Sequence, residues 1–415
     1  MRKRALFSLL VPFLAVILIA GLCPVAGAAD IKIGGIMDTT GATSDVGKDY
    51  ALGMDEAFKW INEQGGVNGK KIKYTWFDYG YRIPEAITKY KLLKRLGSIV
   101  IMGWGTGDTE ALSPTVNKDK LPYVSASYSA HLTNPAKTPY NLFFSSDYST
   151  NARAALTAWF DKKWPGKSGF KENRKPRFAA VYMFASPYCS APIKAIKDQA
   201  TMLGFEIGPD QDVSLFALDT KSQVMALKEF KPDVCWHGNT TMSVSATLRD
   251  AYGLGLGADW IVNNWGYDEN LPRLAGEAAE GVMGATPIAF YGQNYKNMDI
   301  VVAAAKKYNP GVPQEKRLIR TPQAWGDALV TWEALKRADK AGDLTGDGIM
   351  KKGFETLSLF DIGLGASPIT FTATDHRPTT GCLIQEWKGG KFQEVERVDL
   401  KQRWPEKWAK EWLGW

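Results

Sequence analysis

From Ile31 onward, short apolar runs of strand length alternate with longer amphipathic runs of helix length, almost without a break. Such alternation builds a parallel sheet covered on both faces, because each return to a parallel neighbour needs a crossover and a helix supplies it. IKIGGI is a short strand. DYALGMDEAFKWINEQGG follows as a helix, with Met54, Ala57, Phe58 and Ile61 on one stripe and glycines to stop it. KIKYTWFD alternates as a strand, PEAITKYKLLKRLG runs from proline to glycine as a helix, and SIVIMG and LPYVSA are further strands. The rhythm then restarts with helix NARAALTAWFDKKW, strand RFAAVYMF, a helix from Cys189 to Leu203, strand PDVCWHG, helix TTMSVSATLRDAYGLG and strand DWIVNNW. Two Rossmann-like α/β lobes, each with its own parallel sheet, are therefore expected, and 415 residues exceed what one core usually serves.

Beyond GVMGATPI the chain turns helical, notably in TPQAWGDALVTWEALKRADKAG. It closes with strands around PITFTA and a hairpin, CLIQEWKGGKFQEV, whose Gly389–Gly390 suits a tight turn. Trp404, Trp408 and Trp412 share one helical face, expected to pack on a lobe.

The N-terminus reads as a cleavable signal peptide over 1–29. It has a basic start at Arg2, Lys3 and Arg4, an apolar run from Ala5 to Leu22, and Ala26-Gly27-Ala28 before the cleavage point. A transmembrane anchor is the alternative, opposed by Pro12 and the small-residue end; a lipoprotein on Cys23 is opposed by Leu22, where a small residue belongs. The leader contributes three basic residues and no acid to the formal +7, leaving +4 on the mature chain. That mild charge, with GKSGFKENRKPR as its densest basic patch in an expected surface loop, argues against nucleic acid as a partner. Cys189, Cys235 and Cys382 remain, an odd number that permits one bridge and a free thiol, or three thiols.

The stretch SIVIMGWGTGDTEAL presents strand, glycine loop and helix start, the order of a phosphate-binding enzyme. Gly103, Gly105 and Gly107 nevertheless fail the dinucleotide fingerprint. Its third glycine falls on Asp108, and the next strand ends YVSASYS with no acid for a ribose. What survives is the physics of amides at a helix start, which favour a small anion such as a carboxylate. No nucleophile elbow accompanies His131, His237 and His376, so no catalytic set is expected. DLTGDGIMKKGF places Asp343, Asp347 and Gly348 as in a calcium loop, but Thr345 and Phe354 occupy ligand positions, so it reads as a turn opening a helix. No metal or cofactor is expected.

INEQGGVNGKKIKYTWFD, LPYVSASYSAHLT and LAGEAAEGV resemble, in order and spacing, segments of the periplasmic branched-chain amino-acid-binding proteins of ATP-driven importers. The resemblance covers almost the whole mature chain. It implies a type I periplasmic binding protein: two lobes joined by three crossovers, hinging shut on a ligand, without catalysis. Lobe 1 is then expected over 30–147 and 289–367, and lobe 2 over 148–288 and 368–415. It also implies a periplasmic location, an ABC permease as partner, and a monomer.

Carried over residue by residue, the resemblance puts Gly107 where the family offers a Ser to the ligand carboxylate. Ser127 and Ser129 take the next strand's small residue and Thr, Tyr188 takes a second-lobe Tyr, and Thr240 replaces another Tyr. The acid that pairs with the ligand's ammonium falls on Asn264. Losing that partner costs a buried ammonium roughly 3–5 kcal/mol, two to four orders of magnitude in affinity. A zwitterion then binds poorly unless Asp38, Asp108 or Asp268 substitutes. Trp104, Tyr128, Tyr188, Trp236 and Trp265 make the expected cleft aromatic, with core packing the alternative for each. The expected ligand is a carboxylate with an apolar or aromatic body, Ser127, Ser129 and the Gly107 backbone holding the anion and Asn264 a neutral polar group. A sensor or regulator using the same clamshell is the alternative function.

Overall fold

The computed structural model describes residues 29–415, so the expected leader lies, but for Ala29, outside the described residues. In chain order the first half contains β1 (Ile31–Met37), α1 (Ser44–Glu63), β2 (Ile72–Asp78), α2 (Ile83–Arg95), β3 (Val100–Gly103), α3 (Thr106–Asp119), β4 (Tyr123–Ser125) and β5 (Asn141–Leu142). These strands form one wholly parallel sheet in the order β2-β1-β3-β4-β5.

The chain then crosses to a second sheet through α4 (Tyr148–Lys162), α5 (Ser168–Lys171), β6 (Arg177–Tyr182), α6 (Pro187–Ser190), α7 (Ile193–Met202), β7 (Glu206–Ile207), β8 (Gln211–Asp212) and α8 (Lys221–Phe230). It continues with β9 (Val234–His237), α9 (Thr241–Gly253), β10 (Asp259–Val262), α10 (Asn270–Ala275) and β11 (Met283–Thr286). A second crossing leads to α11 (Met298–Tyr308) and α12 (Arg320–Lys340), which pack along α1 in the first lobe. A third crossing returns the chain to the second sheet for β12 (Gly381–Lys388) and β13 (Lys391–Asp399). The second sheet runs β13-β12-β11-β10-β9-β6-β7, with β8 also paired to β6.

The second sheet is mixed rather than parallel. β12 lies antiparallel to β11, and β13 antiparallel to β12, the latter because the turn joining them is too short for a crossover. Gly389 and Gly390 take φ of 57° and 80°, the left-handed pair that a two-residue hairpin turn requires.

Other elements also differ from expectation. PITFTA forms no strand and makes only the isolated bridges Phe360–Ile369 and Thr372–Asp375; it begins at Pro368, which has no N–H for a ladder, and Pro378 follows shortly after. The helix expected from Cys189 to Leu203 breaks into α6 and α7 at Pro192, which has no N–H to continue the ladder. The strand in DWIVNNW stops at Val262, and Asn264–Gly266 forms a 3₁₀ turn. The loop at Asp343 opens a helical turn, with Thr345 accepting from the Gly348 amide.

Trp408 and Trp412 are buried in the second lobe's core with Trp159 and Trp236, and the Arg377 and Arg153 guanidiniums lie 3.8 and 4.5 Å over their rings. Cys189, Cys235 and Cys382 are three free, buried thiols.

The start of α12 is tied down by charge. Arg317 is fully buried; its guanidinium donates to both Glu56 oxygens at 2.9 and 2.7 Å and meets Asp49 at 3.0 Å. Glu56 is equally buried. Replacing Glu56 with Ala leaves Arg317 short of a partner in a dry site, and should destabilise the protein by about 3–5 kcal/mol, measured by urea unfolding.

Candidate functional site

Parallel sheets expose their loops at the carboxyl ends of the strands, and ligands of open α/β sheets bind there. The two sheets turn those ends toward each other. From the first lobe come Thr43 and Val46 after β1, Tyr81 after β2, Trp104, Gly105 and Thr106 after β3, and Ala126 after β4. From the second come Tyr188 after β6, Thr240 after β9 and Trp265 after β10, joined by Tyr148 at the start of α4. They enclose a cavity of about 20 Å³, room for about one water.

Aromatic rings fill most of the space between the lobes. Trp265 sits 5.0 Å from Trp104 and 6.2 Å from Tyr50, edge to face, and stacks on Tyr128 at 5.7 Å. Its indole N–H donates to the Tyr148 hydroxyl at 2.9 Å, which fixes the plane of the ring. The Trp104 indole N–H donates to Thr43 Oγ1 at 2.8 Å, and the Thr43 hydroxyl donates to Asp38. On Trp265 lies the Arg320 guanidinium, 4.9 Å from the ring; it pairs at 3.0 Å with Asp268 across the lobe boundary.

Four of the nine residues proposed from sequence, Trp104, Tyr188, Thr240 and Trp265, line the cavity. Ser127 lies just behind, donating to Thr106 Oγ1 at 2.9 Å. Tyr128 is buried and accepts a hydrogen bond from Gln323. The Ser129 hydroxyl is held by Glu110 at 2.7 Å. Asn264 is buried beside Trp265, but its amide has no hydrogen-bond partner and it is not among the lining residues. Trp236 belongs to the second core.

Gly107 is where the lobes touch: a Cβ there would lie 3.3 Å from Pro187 Cγ and 3.4 Å from Ile83 Cδ1. At Gly105, a Cβ would collide with Asp108, Tyr79 and Tyr81, so only glycine lets these side chains close over the start of α3.

The three candidate acids have other duties. Asp38 accepts from Gly41 and Thr43, and Asp268 accepts from Thr241 and pairs with Arg320. Asp108 accepts from the Tyr79 hydroxyl at 2.7 Å, and burial pushes its carboxyl up to about 7. His237 and His376 are buried, and burial holds the His237 imidazole down near 3. Sequence reasoning missed Thr43, Val46, Tyr81, Thr106, Tyr148 and Arg320. A buried arginine at the head of an apolar helix, in RTPQAW, was the one signal available for Arg320.

Two α/β lobes meeting at their strand ends around a small cavity define a hinged binding protein. The chain belongs to the periplasmic binding protein family, whose model matches residues 30–391. It is 22% identical over 292 residues to a Leu/Ile/Val-binding protein of Citrobacter freundii, covering 70% of this chain and 76% of that one. An ABC transporter substrate-binding protein of Aeropyrum pernix is 32% identical, covering 90% of this chain and 96% of that chain with a TM-score of 0.79. A branched-chain amino acid ABC transporter protein of Thermus thermophilus, crystallised with valine, is 23% identical with a TM-score of 0.82, covering 91% and 99%.

Two measurements test the cleft. Replacing Gly107 with Val should prop the lobes apart, raising the radius of gyration in small-angle scattering. The second concerns pH. Burial raises Asp45 to about 6, Asp108 to about 7, and Glu269 and Asp327 to about 8. Between about pH 4 and pH 8 the folded chain therefore holds protons that the unfolded chain releases, so stability falls as pH rises through that window. The melting temperature should drop from about pH 5 to about pH 8.5, and Asp327→Asn should flatten the slope.

Proposed function

We propose that this chain is the substrate-binding component of an ATP-driven importer and closes on a small carboxylate-bearing ligand, an apolar or aromatic acid or an amino acid. One observation carries the anion: two helix starts from opposite lobes open onto the cavity. Thr106 is the first residue of α3, Thr240 is the N-cap of α9, and both line it. Free amides and the positive dipole ends at such positions favour a carboxylate. The Thr106 and Thr240 hydroxyls and the Tyr81 phenol add further donors.

The indole and phenol walls supply the apolar half of the site, since planar or branched bodies bury area well against Trp104, Trp265, Tyr148 and Tyr188. An ammonium finds less. Asn264 stands where the resemblance places an acid, and Asp38 and Asp268 are already engaged. Aromatic and aliphatic acids are therefore favoured over zwitterions.

Family membership supports an exported protein working in the periplasm after removal of a leader, as a monomer that hands its ligand to a membrane permease. The hinge of this reading lies at the three crossings, between β5 and α4, after β11, and before β12.

A thermal-shift screen of leucine, isoleucine and valine against benzoate-like and short aliphatic acids tests the reading. A true ligand at about 100 times its Kd adds roughly 2.7 kcal/mol. Stabilisation by the acids is the expected result. Strong stabilisation by leucine with none from the acids would replace the acid preference with an amino-acid one, and no stabilisation by any of them would remove the carboxylate.

A further inference from the structure

Helix α9 of the second lobe starts without its own cap. Thr240 stands at the N-cap with φ −81° and ψ 168°, the extended backbone proper to that position, yet its hydroxyl caps nothing. That hydroxyl is buried, makes no hydrogen bond of normal length, lies beside the Asp45 carboxylate, which it helps to keep charged, and belongs to a residue lining the cavity. The cap comes instead from the other lobe. Asp45, in the first turn of α1, reaches across the mouth of the cleft, and its Oδ2 accepts from the Met242 amide at 3.3 Å. Met242 is the second residue of α9, one of the two amides that an N-cap side chain ordinarily serves.

We infer that closure exchanges the cap of α9: Asp45 takes the Met242 amide as the lobes meet, and the Thr240 hydroxyl, released from its own helix, stands at the ligand cavity beside the Asp45 carboxylate. With the lobes apart, Asp45 is out of reach and Thr240 caps its own helix by a change of rotamer. The two caps are of similar strength, because Asp and Thr both rank among the preferred N-cap residues. The exchange therefore costs little in either direction, and a ligand that engages the Thr240 hydroxyl tips it. Asp45 acts through α9 and is a positioning residue for capture. The inference deepens the ligand-capture reading, and rests on it only for what closure serves.

The exchange makes two substitutions act in opposite directions on the ligand-free protein. Asp45→Ala removes only the closed-state cap, so the lobes should shift toward open. Thr240→Val removes only the open-state cap, so they should shift toward closed. Each shift in the open-to-closed ratio should be roughly 3- to 30-fold. Asp45→Asn keeps an acceptor of equal capping strength and drops the charge that burial and Asp268 penalise, so it should not follow Asp45→Ala toward open, and it also controls for folding.

Spin labels at Thr88→Cys on α2 and Ser222→Cys on α8, both exposed, report the lobe-to-lobe distance, the three native thiols being buried. Hydrogen exchange at the Met242 amide is the second readout. It should speed up in Asp45→Ala and stay protected in Asp45→Asn. Opposite distance shifts for the alanine and valine variants, with asparagine no more open than the unaltered protein, support the exchange. Shifts in the same direction, no shift in either, or an Asp45→Asn that moves with Asp45→Ala would overturn it. All of these readouts are ligand-free, so they stand or fall independently of which compound the cleft takes.

Discussion

Trp265 is the residue through which the two lobes share one core. Its ring leans on Trp104 and Tyr50 from the first lobe, stacks on Tyr128 near the first crossing, and carries Arg320 on its surface. Edge-to-face and offset pairs of this kind add about 0.5–1.5 kcal/mol each beyond the area they bury. Ring contacts are broad in angle and weakly directional, so such a cluster can come together and separate without breaking a rigid lattice of bonds. The Tyr148 hydroxyl supplies the one strong directional contact to the indole. The cleft's apolar character and its capacity to open thus have one source.

Charge at the head of α12 fixes how the lobes meet. Arg317 and Arg320 lie three residues apart and face different partners. The first is clamped by Glu56 and Asp49 within its own lobe, and the second reaches Asp268 in the other. Buried pairs of this sort contribute little net stability compared with apolar packing, but each demands its partner in place. An orphaned guanidinium in a dry site is expensive, so the pairs act as a register between α1, α12 and the Asp268 loop.

Much of this architecture was legible in the sequence because it depends on periodicity. The strand and helix rhythm names both sheets, and the paired glycines of the β12–β13 turn announce a hairpin. The antiparallel end of the second sheet was hidden, since periodicity alone does not say which edge a late hairpin joins. PITFTA read as a strand because its composition suits one, but a strand needs a continuous ladder with a partner, and this segment makes only isolated bridges. Within the cleft, Trp104, Tyr188, Thr240 and Trp265 followed from the loops that carry them. Ser129 and Asp38 looked equally available in sequence and are occupied in the structure by Glu110 and by Thr43. Asp45 gave no signal, and Arg320 only its place at the head of an apolar helix, because their partners are about two hundred and about fifty residues away along the chain.

The three cysteines have a consequence of their own. Burial lifts Cys189 and Cys382 to about 12 and Cys235 higher still, so at neutral pH none offers a thiolate. Without thiolate there is neither a nucleophile for exchange nor an easy target for oxidants. The native structure is thereby decoupled from the redox poise around it. Among the described residues, these thiols call for no oxidase to pair them and no reductase to restore them.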